Sequence, residues 1–494
     1  MKILIASSEV HPYSKTGGLA DMVGALAKSL ARAGLQVDCV TPLHRGIREK
    51  FPDIHPFDWR MDLPLGVDLV SARLFKRDWI PGLTVYFVDQ PAFFQRDALY
   101  QEAGVDYPDN AERFIFFSKC IVHLARYLPS QPELIHLHDW QVALVPLLVK
   151  HQRETEGWGS APATCLTIHN LAYQGVFPRS AYDLTNLPDK YFSPDGVEFY
   201  GRLNCLKAGI CYADAITTVS PRYAREITTE TFGCGLDGVL RKRQRSLVGI
   251  LNGVDYSEWN TDKNPHLRNH FTVRDLQGKD AEKLSLQMDL GLPHAARTPL
   301  FGSITRLVDQ KGSDILLAAL EEMLSADMQF VLLGSGSPIL EKAFQDLARR
   351  HRGKVAVKIG YDHALSHRIE AASDFYLMPS RFEPCGLNQM YSLRYGTIPV
   401  VRTTGGLDDS VIDLTEDLER ANGIKFYGYS SRALAKAIRK ALALYDAQEL
   451  FRRIQTNGMS VDFSWQRTSE EYVAVYHQAL EAEKKNGSHP TLEK

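Results

Sequence analysis

The amino-acid sequence predicts an α/β protein of two Rossmann-like domains, each built on a parallel sheet covered by helices. Short apolar segments alternate with helical stretches along most of the chain, which is typical of such sheets. The apolar segments form two series, separated by a polar span at 257–283. The length of 494 residues allows two or three domains of roughly 150 residues each. We place the hinge near 252–260.

The first series opens with a βαβ unit. Residues 3–6 form a short apolar strand, and apolar side chains then recur at helical spacing from Leu19 to Leu30. Gly34 is suited to end that helix, and 35–40 reads as the second strand. The remaining strands predicted in this half are 85–88, 134–137, 164–168, 215–219 and 248–251.

The second series repeats this architecture. Helices are predicted between its strands, for example at 315–323 and 340–349. The polar tail, 484–494, is expected to be frayed. The strands predicted here are 300–304, 330–333, 355–359, 375–378 and 398–401.

Composition argues against several classes of partner. The net charge of -2 gives no basic surface for nucleic acid or for an anionic membrane. No segment approaches the roughly 20 apolar residues of a membrane helix, and no export leader is visible after Met1. The seven cysteines are scattered without metal-ligand spacing, which is typical of reduced thiols in a cytoplasmic protein.

Polar motifs follow the predicted strands. In open parallel sheets, ligands bind at the carboxyl ends of the strands. If both halves present these edges to one cleft, the motifs converge on a single site. The motifs are Lys15-Thr16-Gly17-Gly18, His138-Asp139, His169-Asn170, Asn252-Gly253, Arg306 with Lys311, Gly334-Ser335-Gly336, Glu383-Pro384-Cys385-Gly386-Leu387 and Thr404-Gly405-Gly406.

Two of these motifs are suited to an anionic group. Lys15-Thr16-Gly17-Gly18 opens a helix, whose N-terminus attracts anions; the alternative is a plain turn with a surface lysine. Arg306 and Lys311 bracket a loop before a helix, where two fixed cations can neutralise charge on a diphosphate leaving group. Their alternative is two solvated charges. The sequence contains no Asp-x-Asp, so cationic neutralisation accounts for the chemistry better than a metal does.

Other motif residues allow both a functional and a structural interpretation. Glu383 can accept hydrogen bonds from sugar hydroxyls, or can be an acid favoured at a helix start. His138 and Asp139 can bind sugar hydroxyls or satisfy loop backbone groups, and His136 is expected on the other face of its strand. Tyr361 is suited either to stacking on a nucleotide base or to core packing. For Cys385 we favour packing over reactivity.

Together the motifs resemble the bacterial glycogen synthases and plant starch synthases. Any one motif is weak, but ten in register from residue 2 to about 480 are specific. Besides those above, the resemblance rests on Leu171-Ala172-Tyr173-Gln174-Gly175, Leu206-Lys207-Ala208-Gly209, Val219-Ser220-Pro221, Gln310-Lys311-Gly312, Ser380-Arg381-Phe382 and Asp462-Phe463-Ser464-Trp465. Residues 48–78 do not align with confidence, and part of them is expected to shape glucan contacts.

The resemblance implies a GT-B glycosyltransferase in which two Rossmann-like domains face a deep interdomain cleft. The acceptor domain would be 1–252 and the donor domain 253–462, and 463–494 would form a terminal helix crossing back to the first domain, then the tail. ADP-glucose would be the donor and an α-1,4-glucan the acceptor. The resemblance implies no cofactor, no metal in the cleft and retention of the α configuration. Both same-face attack and a covalent intermediate remain open.

The family's site residues map onto matching positions of this chain. Catalytic roles fall to Glu383, to Arg306 and Lys311 on the diphosphate, and to Asp139 and His169 near the reacting sugars. Tyr361 would be the adenine platform, and Thr404, Gly405 and Gly406 would offer backbone donors to phosphate. The other substrate-binding positions implied are Lys15, Gly17, Gly18, Asp21, Asn252, Cys385, Gly386 and Leu387.

Three alternatives remain at this point. The first is a GT-B enzyme that uses UDP-glucose or a small sugar acceptor. The second is a dinucleotide-dependent oxidoreductase, although Ile339 occupies the third glycine position of its fingerprint. The third is a glucan-binding protein without activity, for which the charges of Lys15, Arg306, Lys311 and Glu383 are not needed. The sequence does not specify protein partners.

Overall fold

The computed structural model describes residues 1–102 and 104–487 of the chain. It divides into two compact units. The first comprises Met1–Val219, Ala224–Ile250 and the chain from Trp465 onward, and the second comprises Ser220–Tyr223 and Leu251–Ser464. No helix among these residues is both long enough and apolar enough to cross a membrane.

The first unit contains fourteen strands among the described residues, nine of them in one sheet. They are β1 (Lys2–Ala6), β2 (Gln36–Pro42), β3 (His55–Leu65), β4 (Asp68–Ile80), β5 (Leu83–Asp89), β6 (Gln101–Glu102), β7 (Val105–Asp106), β8 (Leu134–His138), β9 (Ala163–Ile168), β10 (Val176–Phe177), β11 (Glu198–Phe199), β12 (Arg202–Asn204), β13 (Ala215–Thr218) and β14 (Leu247–Gly249).

Eight helices accompany these strands among the described residues up to Lys242. They are α1 (Gly18–Arg32), α2 (Ile47–Lys50), α3 (Pro91–Phe94), α4 (Asn110–Tyr127), α5 (Val145–Glu156), α6 (Cys205–Tyr212), α7 (Pro221–Glu226), whose first residues belong to the second unit, and α8 (Asp237–Lys242). Short 3-10 helices lie at Trp140–Val142, Arg179–Thr185, Asp189–Tyr191 and Gln244–Ser246.

The large sheet has the order β14-β13-β9-β8-β1-β2-β5-β4-β3. Seven strands are parallel, and β4 and β3 add antiparallel at one edge. The order reverses at β1, because the chain proceeds outward through β2 and β5 and then returns to β8 on the other side of β1. Ligands of doubly wound folds bind beside such a switch point.

The second unit is a six-stranded parallel sheet in the Rossmann order. Its order is β17-β16-β15-β18-β19-β20, with the switch point at β15. The strands are β15 (Leu300–Leu307), β16 (Gln329–Gly336), β17 (Val355–Ile359), β18 (Phe375–Met378), β19 (Ile398–Arg402) and β20 (Ile424–Phe426). The helices are α9 (Gln277–Asp289), α10 (Ser313–Met323), α11 (Pro338–Arg350), α12 (His363–Ala372), α13 (Asn388–Arg394), α14 (Gly405–Ser410), α15 (Ser431–Asp446) and α16 (Gln448–Ser460), with a 3-10 turn at Asp309–Lys311.

The last helix, α17 (Trp465–Gly487), returns to the first unit. Its buried side chains join those of α1 and the central strands in the hydrophobic core of that unit. Tyr476 adds a polar contact, because its hydroxyl lies 2.8 Å from Nδ1 of His136 on β8. The predicted frayed tail begins too early, since helix continues to Gly487; residues 488–494 lie outside the described part.

Several sequence predictions need correction. Strands β3 and β4 are missing from the prediction. Strand β15 continues to Leu307 and β16 to Gly336, so Arg306 and Gly334-Ser335-Gly336 lie at strand ends and not in the following loops. The polar span 257–283 includes the first turns of α9.

The predicted orientation of His136 is also wrong. Its ring centroid lies 4.1 Å from that of His138, on the same face of β8. Side chains alternate across a strand with a period of two, so residues two positions apart share a face.

Candidate active site

The turn between β1 and α1 is held by a buried carboxylate. Glu9 accepts hydrogen bonds from the backbone N–H of Thr16, from the Thr16 hydroxyl at 2.8 Å and from the Tyr100 hydroxyl at 2.9 Å. Burial raises the pKa of Glu9, and these donors oppose that shift. This role could not be predicted from the sequence, because a single glutamate in a loop has no distinguishing pattern.

Helix α1 begins beside a glycine whose Cβ position is open. Its N-cap, Gly17, is extended, and no side chain caps the helix. A Cβ built on Gly17 would meet no atom within 4 Å, so protein packing does not require glycine there. Lys15 Nζ lies 2.7 Å from Asp21 Oδ2, and both side chains are partly exposed. Two predicted binding residues are therefore paired beside a helix N-terminus that favours anions.

Asp139 follows β8 in a backbone conformation that L-residues rarely adopt, with φ 61° and ψ -175°. Such conformations cost on the order of 1–3 kcal/mol and persist only when the surroundings enforce them. Here the Asp139 N–H donates to the Thr167 carbonyl at 3.0 Å, and its Oδ1 accepts from the His169 N–H at 2.7 Å. Burial raises the Asp139 pKa to about 7, and the N–H groups of His169 and Asn170 oppose the rise.

The histidines beside Asp139 are neutral. His138 Nδ1 lies 3.0 Å from His169 Nε2, so one of these nitrogens donates and the other accepts. Burial lowers the pKa of His136 and of His169 to about 3. His138 Nε2 is buried and has no hydrogen-bond partner among the described residues. The structure therefore brings Asp139 and His169 together as a buried carboxyl and a neutral imidazole.

The second unit places its charged residues around its own switch point. Arg306 is exposed at the end of β15, and its guanidinium has no partner in the described part of the chain. Lys311 ends the following 3-10 turn, and Gly312 comes next with φ +71°. A Cβ on Gly312 would lie 2.1 Å from the Pro379 carbonyl oxygen, so the turn packs directly on the segment leaving β18.

Lys311 and Glu383 form the central ion pair of this half. Lys311 Nζ lies 2.6 Å from Glu383 Oε2, which also accepts from the Ser380 hydroxyl at 3.0 Å. Glu383 is buried, and Lys311 is largely so. Glu383 Oε1 has no hydrogen bond within the described residues, and Lys311 has further N–H donors. Both groups can therefore bind a substrate while each orients the other.

The glycines after β19 pack against the backbone beside Glu383. A Cβ on Gly405 would lie 1.9 Å from the Glu383 carbonyl oxygen, and one on Gly406 would lie 2.0 Å from that of Cys385. The Gly406 N–H donates to the carbonyls of Glu383, at 3.1 Å, and of Pro384, at 3.2 Å. In this conformation the Gly406 donor is thus occupied, while Thr404 forms the N-cap of α14.

The remaining predicted residues differ in exposure. Cys385 is a buried thiol near the Asn252 N–H, and burial raises its pKa to about 12. Asn252 Oδ1 is buried without a partner among the described residues. Gly386 adopts φ +70°, and Leu387 is the N-cap of α13. Tyr361 is 77% exposed, with its hydroxyl 3.3 Å from His363 Nδ1, so the core-packing alternative is wrong.

Each unit thus gathers part of the predicted set. The first brings Lys15 beside Asp21 and Asp139 beside His169, and the second brings Lys311, Glu383 and the two glycines together. Ser380, whose hydroxyl donates to Glu383, was not singled out from the sequence, although it stands within the motif that contains Glu383.

Family models match both halves of the chain. The model described as starch synthase catalytic domain matches residues 2–242, and the one described as glycosyl transferases group 1 matches residues 291–459.

Curated relatives match over almost their whole length. A glycogen synthase of Anaeromyxobacter dehalogenans (strain 2CP-C) is 47% identical over 477 residues, covering 96% of this chain and 99% of the relative. Glycogen synthase 2 of Nitrosococcus oceani is 43% identical over 490 residues, covering 98% of both chains.

Solved structures share the architecture. The catalytic domain of starch synthase IV from Arabidopsis thaliana, bound to ADP and acarbose, superposes with a TM-score of 0.88 at 35% identity, covering 97% of this chain and 99% of that one. Sucrose-phosphate synthase from Thermosynechococcus elongatus gives a TM-score of 0.60 at 18% identity, with the same coverage, and shares the fold alone.

Proposed function

Since this chain belongs to the family of glycogen and starch synthases, retaining glycosyltransferases of the GT-B fold, we propose that its donor is ADP-glucose and that its acceptor is the non-reducing end of an α-1,4-glucan. Family membership makes the reaction a glucosyl transfer from a nucleotide sugar to a glucan, in glycogen or starch synthesis. It also excludes the oxidoreductase alternative.

Two observations support an adenine nucleotide as the donor. The starch synthase that matches this chain at 35% identity is described as bound to ADP, the nucleotide that ADP-glucose releases on transfer. Tyr361 presents an exposed aromatic ring, which is suited to stacking on a base. We therefore propose that Tyr361 contacts the adenine.

The pairing of Lys311 with Glu383 is the observation that carries the proposed mechanism. As the bond between glucose and phosphate breaks, negative charge grows on the diphosphate. Lys311, held by Glu383, and Arg306, whose guanidinium has no partner among the described residues, are cations that can stabilise this charge. Glu383 Oε1 remains available for a glucose hydroxyl while Oε2 holds Lys311. Removing either partner would leave a largely buried charge without its counterion.

The first unit is proposed to contribute acceptor-side and phosphate-side contacts. Lys15, Gly17 and Gly18 would bind the donor phosphate region at the start of α1, and Asp21, which pairs with Lys15, would be a further donor-site position. Asp139 and His169 would bind the reacting sugars. His169 is neutral because burial lowers its pKa to about 3, so it acts through hydrogen bonds and not as a cation. A cytoplasmic location is proposed because all seven cysteines are free thiols.

Donor choice is tested by incubating the full-length protein with glycogen and radiolabelled ADP-glucose or UDP-glucose at equal concentrations. Labelled glucan is then precipitated and counted. We expect label from ADP-glucose, with kcat/KM at least about tenfold above that for UDP-glucose, which corresponds to roughly 1.4 kcal/mol. Equal or greater labelling from UDP-glucose would overturn the proposed donor while leaving the family unchanged. Label confined to small soluble products would overturn the glucan acceptor.

A further inference from the structure

Three histidines of the second unit, none of them in the motifs of Lys311 and Glu383, lie close together. His363 and His367 lie one turn apart on the same face of α12, and His266 approaches from the segment before α9. One ring nitrogen from each lies within 4.8 Å of the other two. The ring centroids are 4.7, 4.9 and 5.2 Å apart. None of these residues was singled out from the sequence, because about a hundred positions separate His266 from the other two.

His367 has a buried nitrogen that the protein does not satisfy. The residue has no exposed surface, and its Nε2 has no hydrogen-bond partner among the described residues. A buried polar atom that is left unpaired destabilises the folded protein. An imidazole nitrogen in a cluster of histidines gains a partner when a metal ion binds, because histidine is a frequent ligand of zinc, nickel and copper.

The second ring nitrogen of His367, Nδ1, is hydrogen-bonded, as the non-ligating nitrogen of a metal-binding histidine usually is. Its Nδ1 lies 2.8 Å from the Tyr395 hydroxyl and 3.0 Å from Asn264 Nδ2. Asn264 Nδ2 can only donate, so in this arrangement Nδ1 accepts and Nε2 carries the ring proton. Nε2 becomes a metal ligand when the proton moves to Nδ1 and is donated to the Tyr395 hydroxyl, while Asn264 Nδ2 keeps its 2.7 Å hydrogen bond to that hydroxyl. The Asn264 side chain also accepts the backbone N–H of His266 at 2.9 Å, so one residue positions two of the three histidines.

The separations are compatible with a tetrahedral ion after small side-chain rotations. Zinc–nitrogen bonds of about 2.0–2.1 Å place two ligand nitrogens about 3.4 Å apart in a tetrahedral site. His266 and His363 are only partly buried, so their rings have room to close the remaining distance. Glu258 Oε1 lies 3.4 Å from His363 Nε2 and provides an oxygen beside the cluster.

Aromatic packing explains part of this arrangement. Trp259 stacks on His367 at 4.0 Å between centroids and on Tyr391 at 3.7 Å. Stacking accounts for the position of the His367 ring. It accounts neither for the unpaired Nε2 nor for the approach of His266 and His363 to the same point.

We propose that His266, His363 and His367 bind one divalent transition-metal ion, with zinc or nickel as the ions that three imidazoles favour. None of the three histidines is among the residues proposed for sugar transfer, although His363 Nδ1 lies 3.3 Å from the hydroxyl of Tyr361, the proposed adenine contact. The cobalt titration is done without nucleotide, so its outcome does not depend on the proposed donor.

Cobalt is a suitable probe because its visible absorption reports coordination by nitrogen ligands. The full-length protein is stripped with a chelator, exchanged into metal-free buffer and titrated with CoCl2. We expect one ion per chain, intense visible absorption typical of four-coordinate cobalt, and displacement of that ion by ZnCl2. Quenching of tryptophan fluorescence on cobalt binding should be largely lost in Trp259→Phe, since Trp259 stacks on a ligand.

The deciding variant is His266→Gln, which changes a partly buried residue outside any helix. It should weaken cobalt binding at least about tenfold and remove the intense absorption. His363→Gln, whose side chain is 41% exposed, should do the same and serves if the first variant unfolds. The matched control is His351→Gln, a partly buried histidine of the same unit outside the cluster, which should bind cobalt as the parent does. Absence of stoichiometric binding in the parent, or unchanged affinity in both cluster variants, would overturn the proposal.

Discussion

At the scale of single residues, Glu383 is the side chain on which the proposed mechanism depends most. Its carboxylate is buried, receives Lys311 and Ser380 on one oxygen, and keeps the other oxygen unoccupied within the described residues. A group held in this way is already oriented before substrate arrives, which is the condition for electrostatic stabilisation of a transition state.

Glu383→Gln should therefore impair catalysis far more than folding. Glutamine can still accept the Ser380 hydroxyl but cannot balance the charge of Lys311. We expect kcat to fall at least about 100-fold, measured as glucose incorporated into glycogen. Glu321→Gln is the matched control, because Glu321 also pairs with a cation, Arg350, but does so at the surface of α10. It should stay within twofold of the parent, and a similar loss in both variants would contradict the role of Glu383.

Asp139 shows a second residue-scale effect, in which burial links stability to pH. The folded state raises its pKa from 3.8 to about 7, so it retains a proton that the unfolded chain releases above about pH 4. The stability contributed by this proton is complete below pH 4 and is lost as pH rises to 7. Three pKa units correspond to about 4 kcal/mol at most.

Asp139→Asn isolates this contribution. The amide keeps an oxygen for the His169 N–H and carries no titrating proton. The free energy of unfolding of the parent minus that of the variant should fall by up to about 4 kcal/mol between pH 4 and pH 7, measured by urea unfolding. The buried histidines titrate in both proteins, so their effect cancels in the difference. A difference that does not vary with pH would contradict the raised pKa.

At the scale of elements, the turns that follow β15, β18 and β19 pack backbone against backbone, because the residues at the contacts are glycines. Gly312 packs on the segment after β18, and Gly405 and Gly406 pack on the backbone of the Glu383–Cys385 turn. These approaches fix the spacing between the end of β15, the end of β18 and the start of α14. Glycine is needed because a Cβ would occupy the position of a backbone atom.

Gly406→Ala tests this packing. Its Cβ would lie 2.0 Å from the Cys385 carbonyl oxygen, so the turn must shift. We expect a loss of about 1–3 kcal/mol in the free energy of unfolding, together with reduced kcat as Glu383 moves. Gly428→Ala is the control, since the nearest atom to its Cβ is 3.7 Å away. It should change stability by less than about 0.5 kcal/mol, and equal losses in both variants would contradict the packing argument.

The sequence predictions were accurate for buried apolar strands and poor for exposed strands and for contacts between residues far apart in the sequence. Strands β17 and β18 have the predicted bounds, because each is an apolar segment between helices. Strands β3 and β4 were missed because they lie at the edge of the sheet, where many of their side chains are exposed and no apolar run marks them.

For the candidate site, the sequence predicted the residues but not the contacts between them. Motifs at strand ends identified Lys311 and Glu383 as functional candidates, but nothing local revealed that they pair, since 72 positions separate them. The same reason hid the contacts of Glu9 with Tyr100 and the histidine cluster. Local sequence indicates the element that carries a residue, whereas long-range contacts depend on the whole fold.

At the scale of the whole molecule, the first unit is built from segments that precede and follow the second unit in the sequence. Helix α17 belongs to the first unit, although the entire second unit precedes it in the sequence. Four large side chains of α17 are buried in the core of the first unit: Trp465, Tyr472, Val475 and Tyr476. Burial of one such side chain contributes roughly 1.5–3 kcal/mol, so together they are comparable with the stability of a domain.

Truncation tests the contribution of this helix. A chain ending at Ser464 should lose soluble yield, and its first unit should be digested rapidly by protease, because the face of α1 and β9 that α17 covers becomes exposed to water. A chain ending at Gly487 keeps the helix and should match the parent in yield, protease resistance and thermal midpoint. If the shorter chain behaved like the longer one, the packing of α17 would not be needed for the stability of the first unit.

The late return of the chain at Trp465 also affects the order of events during synthesis. Translation proceeds from the N-terminus, and domains commonly fold as they emerge from the ribosome. All residues of the second unit have been synthesised once Ser464 has emerged, because its short stretch Ser220–Tyr223 is made earlier. The first unit, although translated first, lacks part of its core until α17 leaves the exit tunnel. The half of the protein that is synthesised first is thus the half whose folding is completed last.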